Sequence, residues 1–147
     1  MNIEQTVDYH LRSTLFAMRR MYNVLAAENG LTQGIGYTLI NIGKEGVPAT
    51  KIAPMMGMTS SSLSRLLKTM ELEGLICRKA DEVDKRVVRI FLTKEGLALR
   101  EQVKSAVIDF NRKLLKKLKK SDWNAFVNVN NMIKEQVCED MDAYKGK

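Results

Sequence analysis

Hydrophobic residues recur every three or four positions in two long stretches at the ends of the chain, as is typical of amphipathic helices. The first stretch predicts a helix from Glu4 to about Ala27 that ends at Gly30. The second predicts a helix opened by residues 93–96 and a last helix from Ser121, with a tail from Glu139 that we expect to fray. The apolar positions of the three helices are Val7, Leu11, Leu15, Met18, Tyr22 and Leu25; Leu99, Val103, Ala106, Val107, Phe110, Leu114 and Leu118; and Trp123, Phe126, Val127, Met132, Ile133 and Val137.

A second helix is predicted to begin at the cap residue Thr32 and to end at Gly43 or Glu45. Gly46 and Pro48 then predict a turn. The apolar positions of this helix are Ile35, Leu39, Ile40 and Ile42.

A short third helix is predicted over residues 51–56, with Thr50 as its cap. Pro54 is compatible with that helix only within about the first turn, because proline lacks the backbone N–H. Gly57 and Met58 predict a tight turn before the next helix.

A Ser-rich helix follows over residues 59–73, closed by Gly74 and capped by Thr59 or Ser60. Its two faces differ, with an apolar face for packing and a face of short hydroxyls and cations. Serine is a mediocre helix former, and a face exposed only to water would more often carry Glu, Lys and Gln. The serines therefore indicate that another molecule approaches this face closely. The apolar positions are Leu63, Leu66, Leu67 and Met70, and the polar positions are Ser61, Ser64, Arg65 and Lys68.

Two β-branched runs, residues 75–79 and 87–92, flank a polar segment and predict a hairpin with a charged tip. Two short helices joined by a glycine turn and followed by a hairpin indicate a winged helix-turn-helix. The fold class is therefore mainly α with a small β-hairpin wing. The acidic residues of the tip, Asp81, Glu82 and Asp84, would repel phosphate, so we expect them to form the turn or to hold Arg86 by an ion pair.

The net charge of +7 and the pI near 9.5 favour attraction to polyanions. The chain lacks a membrane-spanning run and a signal peptide, which predicts a soluble cytoplasmic protein. Cys77 and Cys138 are expected to be reduced structural cysteines. His10 is the only histidine, and no phosphate-binding or metal-ligand motif occurs, so neither an enzyme nor a metal site or cofactor is predicted.

The sequence resembles the MarR (multiple antibiotic resistance regulator) family of bacterial transcription factors over nearly its whole length. The resemblance is carried by residues 58–67, 70–78, 81–86 and 92–96. The family's wing follows an Asp-x-Arg-Asp-x-Arg pattern, whose last Arg enters the minor groove. This implies that role for Arg86, with Asp84 as its orienting partner, whereas Val83 replaces the first Arg of the pattern.

The resemblance also implies a homodimer that binds a pseudo-palindromic operator. Residues 1–147 would form one MarR-type unit, with a winged helix-turn-helix core at 32–93 and dimerisation helices at 1–30 and 94–147. The long apolar stripes independently require burial that a core of about 60 residues can hardly supply, which favours a second chain. Many members bind small organic ligands, for which His10, Met18, Tyr22 and Tyr37 are candidates here, although packing explains these residues equally well.

We therefore predict a sequence-specific regulator of transcription, a repressor that binds double-stranded DNA and is released by a small organic ligand. The alternatives are a sequence-nonspecific or architectural DNA-binding protein and a winged helix used for protein contacts. The basic run at residues 112–120 is interpreted as the solvated end of a dimer helix, with a membrane-surface or nucleic-acid patch as the alternative. The residues predicted to contact DNA are Ser60, Ser61, Ser64, Arg65, Lys68, Lys85 and Arg86.

Overall fold

The computed structural model describes residues 1–145, in which the chain divides after Ala106 into two compact units. The elements that follow an initial 3₁₀ turn, Ile3–Gln5, are α1 (Val7–Ala27), α2 (Gln33–Asn41), β1 (Val47–Pro48), α3 (Ala49–Met56), α4 (Ser60–Leu72), β2 (Ile76–Ala80), β3 (Val88–Leu92), α5 (Lys94–Leu115) and α6 (Lys120–Lys145). The predicted fold class, mainly helical with a small wing, is confirmed.

Helix α2 begins as predicted, because the hydroxyl of Thr32 accepts a hydrogen bond from the N–H of Ile35 at 3.3 Å. The predicted end at Gly43 or Glu45 is wrong. The helix stops at Asn41, and Ile42 takes an extended backbone conformation with its side chain fully buried. Burial of Ile42 in the core therefore takes precedence over continuation of the helix.

The segment predicted as a turn at Gly46 and Pro48 contains a strand that the sequence analysis missed. Strand β1 pairs antiparallel with β3, Val47 opposite Ile90, and the sheet has the order β1-β3-β2. Pro48 is compatible with this position because β1 is an edge strand. The hairpin of β2 and β3 is confirmed, with Ile76 opposite Leu92 and Ala80 opposite Val88 at its ends.

Two expectations for α3 are wrong. Pro48, not Thr50, is the N-cap residue. Pro54 is the sixth residue of the helix and lies beyond the first turn, where it removes one hydrogen bond two residues before the helix ends. Gly57 ends α3 with a φ of 60°, and its N–H donates to the carbonyl of Pro54 at 3.2 Å.

The core of the first unit lies between helices α2, α3 and α4 and the sheet. Residues from all of these elements are almost fully covered, and α4 contributes the apolar face that the sequence predicts, with Leu66 partly buried. A continuous core of this kind fixes α4 against the sheet. Its members are Ile35, Leu39, Ile42, Ile52, Ala53, Leu63, Leu67, Met70, Leu75, Ile76 and Ile90.

The start of α5 lies unusually close to the end of α4. The hydroxyl of Thr93 donates to the carbonyl of Gly74 at 2.6 Å and accepts from the N–H of Gly96 at 3.0 Å. A Cβ atom on Gly96 would overlap the carbonyl oxygen of Leu75. The absence of a side chain at Gly96 therefore permits this backbone approach.

The long helices at the two ends of the chain leave their apolar stripes uncovered. Helices α1 and α6 contain no buried residue. Residues 139–145 of the tail predicted to fray are instead helical, with an ion pair between Lys145 and Asp142 at 3.5 Å, and the last two positions of that tail lie outside the described residues. No helix in residues 1–145 is long and apolar enough to cross a membrane.

Candidate nucleic-acid interface

Helix α4 presents a polar face to solvent on the side opposite its buried leucines. Ser60, Ser61, Ser64, Arg65 and Lys68 are all exposed. Among residues 1–145, the side chains of Arg65 and Lys68 form no hydrogen bond and no ion pair. Both cations can therefore bind another molecule without first breaking an intramolecular contact.

The N-terminus of α4 is fixed by Thr59, one of the two capping residues that the sequence suggests. Its Oγ1 accepts from the N–H of Ser62 at 3.2 Å and donates to Ser62 Oγ at 2.9 Å. The Oγ of Ser61 lies 3.2 Å from the same Thr59 oxygen. Ser61 is thus engaged locally, which restricts its hydroxyl more than that of Ser64.

The tip of the hairpin brings Asp84 and Arg86 together. Asp84 Oδ1 accepts from the backbone N–H of Arg86 at 3.0 Å and from its Nε at 3.4 Å. The Arg86 side chain nevertheless stays 94% exposed, and Lys85 beside it is also exposed. An exposed ion pair of this kind is weak, so it restrains Arg86 without blocking access to it.

Arg89 connects the wing to the loop before β1, a link that the sequence analysis missed. Its Nε donates to Asp81 Oδ2, and its Nη1 donates to the carbonyls of Glu45 and Gly46, each at 3.3 Å. The side chains of Arg89 and Asp81 are only 30% and 16% exposed. The signal in the sequence is a single cation within an apolar strand, which indicates a partner for the charge.

Asp81 also shapes the tip through its other carboxylate oxygen. Oδ1 accepts from the N–H groups of Val83 at 2.9 Å and Asp84 at 3.1 Å. The hydrogen bond from Arg89, together with those from Asp84 and Val83, lowers the pKa of Asp81 to about 2. The carboxylate is therefore ionised at any physiological pH. Asp81 stabilises the turn at the tip of the hairpin, as the sequence analysis expects of an acidic residue there.

We expect Asp81→Asn to lower the melting temperature at neutral pH, because the amide cannot pair with Arg89 as a carboxylate does. A lowered pKa contributes stability above the unfolded value of 3.8, and that contribution is lost as the pH falls towards about 2. Thermal melts should therefore show the difference from the wild type shrinking from about pH 4 downwards. Glu82→Gln, at an exposed neighbour, is the control. A difference independent of pH would contradict the assigned ion pair.

A second ion pair joins α4 to the sheet. Arg78 Nε on β2 lies 3.0 Å from Glu71 Oε2 on α4. The two side chains are 37% and 42% exposed, so the pair contributes little stability.

The four candidate ligand residues lie in different surroundings. His10 is exposed and meets the Tyr9 ring edge-on at 5.6 Å between centroids. Met18 and Tyr22 are half-buried, and burial raises the pKa of Tyr22, whereas Tyr37 is 49% exposed. Two concavities along α1 contain none of the four and share the lining residues Ser13 and Phe16.

Comparison with known proteins decides the family. The MarR family profile matches residues 43–88, which run from the loop before β1 to the start of β3. The organic hydroperoxide resistance transcriptional regulator of Bacillus subtilis (strain 168) is 30% identical over 103 residues, 69% of this chain and 70% of that protein. The chain belongs to the MarR family. MarR proteins are DNA-binding transcriptional regulators and not enzymes, so this MarR protein is a transcriptional regulator.

Solved structures agree with the MarR fold. The MepR–DNA complex of S. aureus superposes with a TM-score of 0.76 at 24% identity, covering 89% of this chain and 98% of MepR. The transcriptional regulator SlyA superposes with a TM-score of 0.77 at 22% identity, covering 89% of this chain and 93% of SlyA. At these identities the likeness establishes the winged-helix fold of this MarR protein.

Proposed function

We propose that this MarR protein is a repressor that binds a pseudo-palindromic DNA operator as a homodimer. The observation that carries the proposal is the exposed face of α4, whose cations have no partner within residues 1–145. MepR, a structural relative, has been crystallised with DNA. Its complex supports the same mode of action for the present chain.

Helix α4 is the element proposed to enter the major groove. An α-helix fits this groove, where arginine can donate two hydrogen bonds to the O6 and N7 atoms of guanine. Arg65 is the proposed base-reading residue, since it is exposed and unpaired in the described chain. The remaining contacts are assigned to Ser60, Ser61, Ser64 and Lys68, which lie on the same exposed face.

The wing is proposed to contact the adjacent minor groove or its phosphates. Arg86 projects into solvent, and Asp84 restrains its guanidinium from one side. Lys85 adds a second exposed cation. Val83, at the position of the family's first wing Arg, is 96% exposed and offers no charge, so each wing is expected to supply one arginine contact.

A homodimer is proposed because each unit, taken by itself, leaves large apolar side chains exposed. In α1, Leu15 is 56% and Val24 is 63% exposed; in α6, Phe126 is 55% and Met132 is 58% exposed. Soluble proteins rarely leave such stripes in water. We assign residues 1–30 and 94–147 to dimerisation and residues 32–93 to DNA binding.

We further propose that the regulator acts in the cytoplasm and that a small organic ligand releases it from DNA. Release requires a ligand that binds the DNA-incompetent arrangement more tightly than the DNA-bound one. His10, Met18, Tyr22 and Tyr37 remain the proposed ligand contacts. The competing function is sequence-independent DNA binding, which the basic run at residues 112–120 favours.

Arg86→Ala is expected to weaken binding of a selected DNA duplex by about 1 kcal/mol, roughly fivefold, without changing the dimer. The physical reason is the loss of an exposed guanidinium whose hydrogen bond and ion pair within residues 1–145 are made to Asp84 alone. Fluorescence anisotropy measures the binding, and sedimentation velocity measures the oligomeric state. Arg86→Lys keeps the charge and should retain part of the affinity. Dissociation of the Arg86→Ala protein into monomers would overturn the assignment to the wing.

A further inference from the structure

The net positive charge of this chain comes mainly from one short segment of the second unit. Six of the nine residues at 112–120 are cations and none is an acid. Without these six charges the net charge of +7 would fall to +1. The basic character of the protein therefore depends on this segment, named here the basic turn, more than on α4 or the wing.

The structure gathers these cations at the junction of α5 and α6. Residues 112–120 comprise the last turn of α5, a tight connection and the first residue of α6, and all nine are exposed. The connection is closed by the N–H of Lys117, which donates to the carbonyl of Leu114 at 2.9 Å. The six cations therefore lie within nine consecutive exposed positions at one turn of the chain.

Within residues 1–145, acidic side chains neutralise one of the six cations of the basic turn. Asp109 Oδ1 lies 3.5 Å from Arg112 Nη1 and forms an ion pair with it. Asp122 is occupied elsewhere, because its Oδ2 accepts from the backbone N–H of Lys119 at 3.1 Å. Within the described chain, none of the five lysine side chains of the turn has a hydrogen bond or an ion pair.

This arrangement works against the stability of the protein. Like charges on successive turns repel one another. Lys119 and Lys120 stand at the N-terminus of α6, where the helix dipole disfavours cations, and Asp122 in the first turn offsets only part of that charge. Only Arg112 and Lys113, in the last turn of α5, are favourably placed. An anionic partner that binds these cations would offset their mutual repulsion and so explain why the cluster is present.

We propose that the basic turn binds the phosphate backbone of double-stranded DNA without reading its sequence. A duplex carries regularly spaced phosphates that flexible lysines can neutralise while releasing counterions. Insertion into a lipid surface would need a broad apolar face beside the charges. Leu114, Leu115 and Leu118 are 38%, 44% and 37% exposed, but they lie singly or in a pair between six exposed cations and form no broad apolar face.

The test uses the full chain and a 30-bp duplex of random sequence, titrated over a series of salt concentrations. The decisive variant changes Lys116, Lys117, Lys119 and Lys120 to Gln, and the matched control changes the same four residues to Arg. Each phosphate that the turn no longer neutralises should reduce the slope of log K against log salt by about 0.9. We expect the Gln variant to show a slope smaller by about 3 to 4 for each turn that contacts the duplex and at least tenfold weaker binding, and the Arg variant to match the wild type in both.

The same salt titrations are repeated in a protein that carries Arg65→Ala, Lys68→Ala and Arg86→Ala together. These measurements separate DNA binding by the basic turn from the proposed operator recognition. Failure of operator recognition would remove sequence preference but leave the effect of the Gln variant on the slope. Equal slopes for the wild type and the Gln variant would overturn the basic turn as a DNA site. If the Gln variant bound the duplex as the wild type does but lost the wild type's binding to phosphatidylserine vesicles, the turn would be a membrane-surface site and the proposal would be overturned.

Discussion

Replacing Gly96 by alanine is expected to lower the free energy of unfolding by about 3 kcal/mol. The added Cβ would overlap the carbonyl oxygen of Leu75, and neither backbone segment can move aside alone. The hydrogen bonds of Thr93 to Gly74 and Gly96 hold the two segments together, so any separation breaks at least one of them. Chemical denaturation at fixed protein concentration measures the loss.

Gly43→Ala is the matched control for this substitution. A Cβ on Gly43 would meet no atom of the described residues within 4 Å, and the φ of Gly43 is not positive. The control should therefore change the free energy of unfolding little or stabilise slightly, since alanine restricts the unfolded chain. Identical denaturation midpoints for the Gly96→Ala and Gly43→Ala proteins would contradict the close packing of α5 against residues 74 and 75.

Replacing Arg65 by alanine is expected to cost about 1 to 3 kcal/mol of binding to the selected operator and to relax its preference at one base pair. Arg65 is exposed on α4 and has no intramolecular partner in the described structure, so the loss reflects its contact with DNA. Binding of a random duplex should change much less. Competition titrations with the operator and with single-base variants measure both effects.

Lys68→Ala is the comparison for Arg65→Ala, because Lys68 lies on the same exposed face three residues further along α4. A lysine that contacts phosphate should weaken specific and random binding equally and lower the salt slope by about 1. If Arg65→Ala behaved in the same way, Arg65 would be a phosphate contact and another residue would read the base. If Arg65→Ala and Lys68→Ala both bound the operator as tightly as the wild type does, α4 would not be the recognition element.

The division of α4 into two faces could be predicted from the sequence because it depends on local periodicity. Leu63, Leu67 and Met70 follow the helical repeat and are buried. The caps Thr32 and Thr59 could be predicted for the same reason, since each accepts from an N–H three residues ahead. Helix faces and helix caps depend on residues a few positions apart, so the local sequence predicts them.

The elements that were missed depend on distant partners. Strand β1 has two residues, too few to show alternation, and exists because β3 pairs with it. Arg89 reaches Asp81 eight positions away and the carbonyl of Glu45 forty-four positions away. No local pattern specifies such contacts, so the sequence identified the charged residues of the wing but not the pair that anchors it.

The proposed operator recognition is tested most directly by selecting binding sites from a random duplex library at near-physiological salt. We predict a two-fold symmetric motif whose half-sites lie about one helical turn, or 34 Å, apart, because a homodimer presents two copies of α4. Selected sequences that remain random at high protein occupancy would contradict operator recognition and leave sequence-independent DNA binding as the function.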